Sequence, residues 1–162
     1  LAADLQSFVA GRRVDDNAHV MLRLESEARG MLWSSQVAPG HENSLRLRVY
    51  GTTGSLEWAQ EDPNVLWHRP LDGHTQRITR GTGGADAARV TRVPPGHPEG
   101  YVEAFATIYS EAAEAIIAAR SGAAAPDGVI YPTVQDGLKG VQFVTACVRS
   151  SQRNAAWVRL EG

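Results

Sequence analysis

The sequence of 162 residues predicts an α+β fold: an open, mostly antiparallel sheet with helices packed on one face. Two patterns lead to this prediction. In the first half, apolar and polar residues alternate, as in residues 45–50, and such alternation is typical of half-buried antiparallel strands. In the second half, apolar residues recur at helical spacing. Strands that precede helices favour an α+β domain over a doubly wound parallel sheet.

The predicted strands occupy most of the first 80 residues. They are expected at residues 1–9, 19–25, 45–50, 55–58, 65–68 and 75–80. The turn at residues 51–54 has glycine at both ends and joins two of these strands as a hairpin. A chain that opens in a strand, without Met or a signal-peptide pattern, is expected of a piece of a longer protein.

The predicted helices follow a break in this pattern. Residues 81–96 are rich in Gly, Ala and Pro, and we expect a long surface loop there. Pro98 predicts the start of a first long helix, because the first helical position needs no N–H donor. Gly122 predicts its end, since glycine adopts the left-handed conformation that follows many helices.

A second long helix is predicted after Thr133. Thr133 and Asp136 resemble a capping box, with Asp in place of the usual Glu or Gln. Behind them one apolar stripe follows at helical spacing: Val134, Leu138, Val141, Val144 and Val148. A last strand is expected at residues 156–160.

Composition limits the kind of protein that this can be. A single domain accounts for residues 1–162. The net charge of −2 is spread over the chain, which argues against a nucleic-acid partner. No apolar run approaches the ~20 residues that span a bilayer, so no membrane partner is expected. The single Cys147 cannot form an internal disulfide, so we expect a buried hydrophobic side chain and a cytoplasmic protein.

Two amphipathic helices can cover only one face of so broad a sheet. The other face would present Met21, Arg23, Arg46, Arg48 and Tyr50. This face is either solvated or the contact of a homo-oligomer. We favour the oligomer, because Arg, Met and aromatic residues are enriched in interfaces, and Trp33 and Trp67 lie on neighbouring strands.

Three short segments of the sequence contain residues that could bind a cofactor, a metal ion or a substrate. Residues 81–86 are glycine-rich but lack the G-x-G-x-x-G spacing and the surrounding βαβ unit of a dinucleotide cradle, so no bound cofactor is expected for this chain. Residues 39–43 and 95–99 each place a His and a Glu after a Pro-Gly turn. Their spacing enforces no metal site, and we expect none. Solvated loop residues or the lining of a substrate cleft remain as alternatives.

The candidate substrate-binding residues are Gln36, His41, Asn43, His97 and Tyr101. Loops that hold several polar groups suit hydroxyl-rich ligands, which need many donors and acceptors at once. Tyr101 is equally well explained as a core aromatic residue. A metal-dependent hydrolase or isomerase that uses His41 and His97 is a weaker alternative.

Four segments together resemble a known family. They are residues 28–43, 45–58, 96–105 and 131–137, which include Gly96-His97-Pro98-Glu99-Gly100-Tyr101 and Tyr131-Pro132-Thr133-Val134-Gln135-Asp136-Gly137. Their order and spacing resemble the carboxy-terminal domain of the Gfo/Idh/MocA oxidoreductases, which use NAD(P) on sugars, inositols and related polyols.

The resemblance implies a function for the whole enzyme. An N-terminal Rossmann domain of the same polypeptide would bind NAD or NADP and carry the catalytic residues, none of which matches a position here. This chain would bind the substrate and form a homo-oligomer through its sheet face, and by itself it would be inactive. The loops at residues 36–43 and 97–101 look like those that meet substrate in relatives. The alternative is a stand-alone, non-catalytic module for ligand binding or assembly.

Overall fold

The computed structural model describes residues 1–160. Its strands are β1 (Ala2–Gln6), β2 (Asn17–Arg23), β3 (Arg29–Ser35), β4 (Arg46–Tyr50), β5 (Gly54–Ala59), β6 (Val65–Pro70) and β7 (Gln76–Thr79). Its helices are α1 (Gly84–Val90), α2 (Tyr101–Arg120) and α3 (Val134–Ser151), and a 3-10 turn spans Arg80–Thr82. The predicted α+β class, with strands before the long helices, is confirmed.

The strands are divided between two open sheets. One has the order β1-β2-β3 and the other has the order β4-β5-β6-β7. Every described pair is antiparallel, as predicted. The sequence pattern suggested one sheet, because alternation marks a strand but does not identify its neighbours. The chain forms two compact units: residues 1–41 with the described residues from 132 onward, and residues 42–131.

In the first unit, α3 packs against β1. The buried core consists of Leu1, Ala3, Val20, Ala146 and Cys147. Cys147 is buried, as predicted, and burial raises the pKa of its thiol, which disfavours the thiolate.

The apolar stripe predicted on α3 lies outside this core. Val134 is 82% exposed, Val141 is 65% exposed and Val144 is 60% exposed. The core side of α3 carries Ala146 and Cys147 instead. Small side chains let a helix approach a strand closely, so the period of the stripe identified a helix but not the side that packs on β1.

Two boundaries differ from the sequence prediction. α2 begins at Tyr101 rather than at Pro98, because the Glu103 carboxylate accepts the Gly100 N–H at 2.8 Å and closes the first turn there. This hydrogen bond is the main reason that the pKa of Glu103 is lowered. The predicted loop at residues 81–96 contains α1, which the Gly and Ala content concealed.

Both predicted helix signals around α2 and α3 are confirmed. Gly122, which follows the C-cap residue Ser121 of α2, has a φ of +71°, and its N–H bonds to the Ala119 carbonyl at 3.1 Å. Asp136 accepts the N–H of Thr133 at 2.9 Å and its hydroxyl at 2.8 Å, and the backbone bond lowers its pKa.

The predicted last strand at residues 156–160 is not a regular strand in the structure. The segment is nevertheless tied to the start of the chain. The N–H of Val158 bonds to the Leu1 carbonyl at 2.8 Å, and the Leu1 amino group bonds to the Val158 carbonyl at 2.7 Å. A single pair of this kind is too short to form a ladder.

Candidate functional site

A cavity of about 370 Å³ lies at one edge of the second sheet, and several polar residues are among those that line it. Its polar lining includes Asp62, Asn64, Arg77, Thr79 and His97. The edge forms because Val65, at the start of β6, pairs with Thr79, at the end of β7. We call this the His97 cavity and refer to residues 93–99, which close it before α2, as the His97 loop.

Arg80 follows β7 and reaches into the His97 loop. Its guanidinium donates to the carbonyls of Val93 at 2.9 Å, Pro94 at 3.3 Å and His97 at 2.9 Å. The side chain is only 13% exposed. Three carbonyls of one loop are therefore held by a single planar guanidinium.

The buried Glu99 balances this cation. Its carboxylate lies 2.9 Å from Arg80 and also accepts the backbone N–H groups of Arg92 at 2.7 Å and Val93 at 3.3 Å. Asn64 completes the arrangement: it accepts from Arg80 Nε at 2.9 Å and donates to the Glu99 carbonyl at 2.8 Å. We call Arg80, Asn64 and Glu99 the Arg80 cluster.

His97 is an exposed residue at the edge of the cavity. Its N–H bonds to the Pro94 carbonyl at 3.3 Å, and Gly96 adopts a φ of +88° within that turn. Glycine is suited to this left-handed position, where other residues are strained. The Pro-Gly-His pattern thus produces a tight turn that places His97 in the lining of a cavity that Arg77 and Thr79 of β7 also line.

Two other predicted site residues belong to the same unit. Tyr101 is the first residue of α2 and is 69% exposed, and its ring packs on Phe105 with centroids 4.9 Å apart. Asn43 donates to Gln60 Oε1 at 2.9 Å. Among the residues described, the lining of the His97 cavity includes neither Tyr101 nor Asn43. The structure therefore brings only His97 to the cavity.

Gln36 and His41 belong to the first unit. The Gln36 N–H bonds to the Asp16 carbonyl at 2.7 Å, which fixes the backbone and leaves the side chain exposed. His41 is exposed and ends a turn in which its N–H bonds to the Ala38 carbonyl at 3.3 Å. Their substrate role stays a prediction.

A second cavity, of about 270 Å³, lies between α1, α2 and the segment around residue 127. Arg89 forms an ion pair with the buried Glu111 there. Arg92 donates to the hydroxyls of Thr107 at 3.1 Å and Ser110 at 3.0 Å. These side chains contact one another, and the lining also includes Glu114 and Asp127.

Neither of the segments that place a His and a Glu after a Pro-Gly turn forms a metal site among the described residues. The Glu99 carboxylate is taken up by Arg80 and two backbone N–H groups. Within residues 1–160, no three His, Cys, Asp or Glu side chains are grouped closely enough to hold a metal ion.

Sequence reasoning missed the Arg80 cluster. The sequence pattern places Arg80 at the end of a strand and leaves Glu99 as a metal ligand, a solvated loop residue or part of a substrate cleft. No local pattern could have revealed their contact, because it joins residues 19 positions apart through tertiary structure. An Arg at a strand end, followed after a Gly- and Pro-rich segment by a Glu, was the only available signal.

The sheet residues predicted to form an interface are exposed. In the first sheet Met21 is 54% exposed and its cross-strand partner Met31 is 83% exposed. In the second sheet Glu57 lies between Arg48, at 3.6 Å, and Arg69, at 3.0 Å. This ionic row occupies one side of the sheet.

The other side of the second sheet is apolar. Leu47 is 63% exposed, Val49 is 54% exposed and Leu56 is 40% exposed. Because neighbouring strand residues point to opposite faces, Leu47 and Arg48 mark the two sides of β4. Each side is therefore available for contact with another protein surface.

The described residues do not fit a dinucleotide cofactor. The phosphates of NAD(P) are held at the first strand-to-helix turn of a parallel βαβ unit. Every strand pair in residues 1–160 is antiparallel, and the glycine-rich residues 81–86 fall in the 3-10 turn and the seven-residue α1. No step of a redox reaction is therefore assigned to residues of this chain.

The antiparallel sheets and their helices form an α+β domain. The chain belongs to the Gfo/Idh/MocA oxidoreductase family: residues 2–160 match its C-terminal alpha/beta domain. The family predicted from the four sequence segments is thereby confirmed. None of the described helices is long and apolar enough to cross a membrane.

Individual relatives agree with this family. An oxidoreductase from Sinorhizobium meliloti is 59% identical and superimposes with a TM-score of 0.91 over 98% of this chain and 45% of its own. An inositol dehydrogenase homolog from Azotobacter vinelandii, complexed with NADH and myo-inositol, is 35% identical, with a TM-score of 0.89 over 97% of this chain and 42% of its own.

A curated relative gives the same result. The uncharacterized oxidoreductase YfiI from Bacillus subtilis strain 168 is 33% identical over 165 residues, which cover 99% of this chain and 42% of that protein. The chain thus spans less than half the length of the relatives that it matches.

Proposed function

We propose that this chain is the substrate-binding and oligomerisation domain of an NAD(P)-dependent oxidoreductase that acts on a sugar, an inositol or a related polyol. The observation that carries the proposal is its 35% identity to the Azotobacter inositol dehydrogenase homolog whose structure contains NADH and myo-inositol. The chain spans 42% of that relative's length. This share is what we expect of one domain that works together with a second, nucleotide-binding domain.

The His97 cavity supports a hydroxyl-rich substrate. It offers donors from Arg77 and His97, an acceptor from Asp62, and the hydroxyl of Thr79, which can do both. A polyol presents alternating donors and acceptors over its whole surface, so a mixed lining of this kind suits it. We assign His97 as the first substrate contact and keep Gln36, His41, Asn43 and Tyr101 as further candidates.

The cofactor belongs to another part of the enzyme. Because residues 1–160 contain no parallel βαβ unit, NAD or NADP would be held by a Rossmann domain of the same polypeptide, which would also supply the catalytic groups. The complete enzyme would transfer a hydride between a carbinol carbon and the nicotinamide. The isolated chain would then be inactive. Its single buried Cys147 supports a cytoplasmic protein.

The sheets would provide the contact between protomers. Arg48, Arg69 and the 76% exposed Tyr50 are of the residue types enriched in interfaces. We therefore assign the side of the second sheet that carries the Arg48–Glu57–Arg69 row to a homo-oligomer.

The experiment that tests the function uses the full-length enzyme. Reduction of NAD+ and NADP+ is measured with myo-inositol, several aldoses and several acyclic polyols, and with simple 2-hydroxy acids as the contrasting class. Turnover with a cyclic or acyclic polyol or a sugar is expected. Turnover of hydroxy acids alone would refute the substrate class, and a full-length protein that binds neither dinucleotide would refute the reaction class.

A further inference from the structure

We propose that Arg80 is a positioning residue, which fixes the His97 loop so that the imidazole stands at the cavity before a substrate arrives. This inference rests on the proposed function, because it gives His97 a substrate to contact. It concerns a residue that touches neither the substrate nor the reacting atoms and acts through the loop that it holds.

The first argument is the saturation of the guanidinium. An arginine side chain has five N–H donors in a fixed plane. Arg80 directs them to Asn64 Oδ1, to the Glu99 carboxylate, and to the carbonyls of Val93, Pro94 and His97. The five donors thus meet five acceptors. Because these acceptors include Val93 and Glu99, the first and last residues of the His97 loop, the guanidinium holds both ends of the loop.

The second argument is that the loop has little other support. Gly96, His97 and Pro98 are exposed, and Pro94, Pro95 and Pro98 lack N–H donors. The loop therefore has few hydrogen bonds of its own besides the His97-to-Pro94 turn. Arg80 and the buried Glu99 supply the tertiary contacts that hold the loop to the sheet.

The third argument is chemical specificity. A lysine at this position keeps the charge and much of the length, but its ammonium has three donors around a point and cannot reach five planar acceptors. Arg80→Lys should therefore leave Glu99 paired while it frees loop carbonyls. The substitution therefore separates the effect of holding the loop from the effect of the positive charge.

The physical consequence is a cost in substrate binding. A loop that samples several conformations binds substrate only in the competent one. The apparent affinity for the substrate is therefore the intrinsic affinity multiplied by the fraction of molecules in that conformation. Cofactor affinity should not change, because the described residues hold none of the dinucleotide. The inference thus predicts a selective effect on the KM of the substrate.

The first experiment does not depend on any substrate. Hydrogen exchange of the full-length enzyme is compared for the parent, for Arg80→Lys and for Arg120→Lys, a matched change at the exposed C-terminal end of α2. In Arg80→Lys, exchange should rise at least about tenfold in peptides that cover residues 92–99 and stay unchanged around Cys147, in the other unit. Unchanged exchange in the loop would overturn the inference.

The second experiment tests whether Arg80 acts through His97. Substrate KM, cofactor KM and kcat are measured for Arg80→Lys, His97→Ala and the double variant. We expect Arg80→Lys to raise the substrate KM about tenfold, with the cofactor KM unaffected. Because one residue acts through the other, the double variant should be no worse than His97→Ala. Fully additive effects would overturn the inference.

The two experiments distinguish the possible failures. If exchange rises in Arg80→Lys while His97→Ala leaves the substrate KM unchanged, the substrate role of His97 is refuted, and the inference falls with it, although Arg80 still holds the loop. If His97→Ala raises the substrate KM but Arg80→Lys changes neither KM nor exchange, the proposed function stands and the inference alone is refuted.

Discussion

Ser150 joins the N-terminal strand to the chain beyond α3. Its buried hydroxyl accepts the Ala3 N–H at 2.8 Å and donates to the Ala156 carbonyl at 2.7 Å. Two backbone groups that are distant in sequence thus depend on one side-chain oxygen. This contact explains why a polar residue occupies the side of α3 that packs on β1.

Removal of this hydroxyl should destabilise the first unit. Ser150→Ala leaves two backbone groups without partners, and a buried group left in this way costs about 1–3 kcal/mol of folding free energy. Chemical unfolding of the variant measures the loss. Thr145→Ala, an exposed position on the same helix, is the control and should change stability by less than about 0.5 kcal/mol. Equal stability of both variants would contradict the assigned role.

Asp16 should make the free energy of unfolding decrease at low pH. The pKa of Asp16 is lowered, first by the Phe8 N–H, which it accepts at 2.9 Å, and further by the Val9 N–H and by Arg12. A carboxyl whose pKa is lower in the folded protein stabilises it above the unfolded pKa, near about 3.9, and this contribution is lost as pH falls through the folded pKa.

Asp16→Asn should therefore reduce stability at neutral pH and flatten its decline on acidification. The free energy of unfolding is measured from about pH 7 to about pH 3 for the parent and the variant. Asp15→Asn, at the exposed neighbouring position, is the matched control and should retain the parent's pH dependence. A variant as acid-sensitive as the parent would show that Asp16 is not the responsible group.

Sequence patterns predicted the elements better than their partners. Alternation located strands such as β4, and Thr133 with Asp136 marked the start of α3, because each signal lies within a few residues. Which strands pair, and which side of α3 packs, depends on contacts between distant residues. The exposed Val141 illustrates this limit: its spacing was helical, yet the core of the first unit lies on another side.

The candidate site shows the same limit. His97 could be identified because a Pro-Gly turn is a local feature, and the structure places His97 in the lining of a cavity. Arg80 and Asn64, which support this loop, could not be recognised from their sequence neighbours. Each one bonds to a loop carbonyl more than a dozen positions away along the chain.

His97→Ala should weaken substrate binding in the full-length enzyme. Loss of one hydrogen bond to a hydroxyl is worth about 1 kcal/mol, so the substrate KM should rise about fivefold or more. The cofactor KM should remain the same, because the proposed function assigns the dinucleotide to another domain of the enzyme. His74→Ala, in the exposed turn between β6 and β7, is the matched control. A substrate KM equal to that of the control would remove His97 from the site.

Arg48→Glu should disrupt the proposed oligomer. Arg48 lies 3.6 Å from Glu57 and is half exposed, so the reversal places a second carboxylate beside Glu57 in the middle of the proposed contact. Like charges held together in a desolvated interface are costly, and the molecular mass measured by light scattering should fall toward that of a single protomer.

Arg120→Glu supplies the charge-matched control for this prediction, since it makes the same reversal at the exposed end of α2 and should leave the mass unchanged. If Arg48→Glu assembles like the parent, the ionic side of the second sheet is not the interface. The apolar side would then be the next surface to test, because Leu47, the adjacent residue of β4, is 63% exposed there and Leu47→Glu would place a charge among Val49 and Leu56.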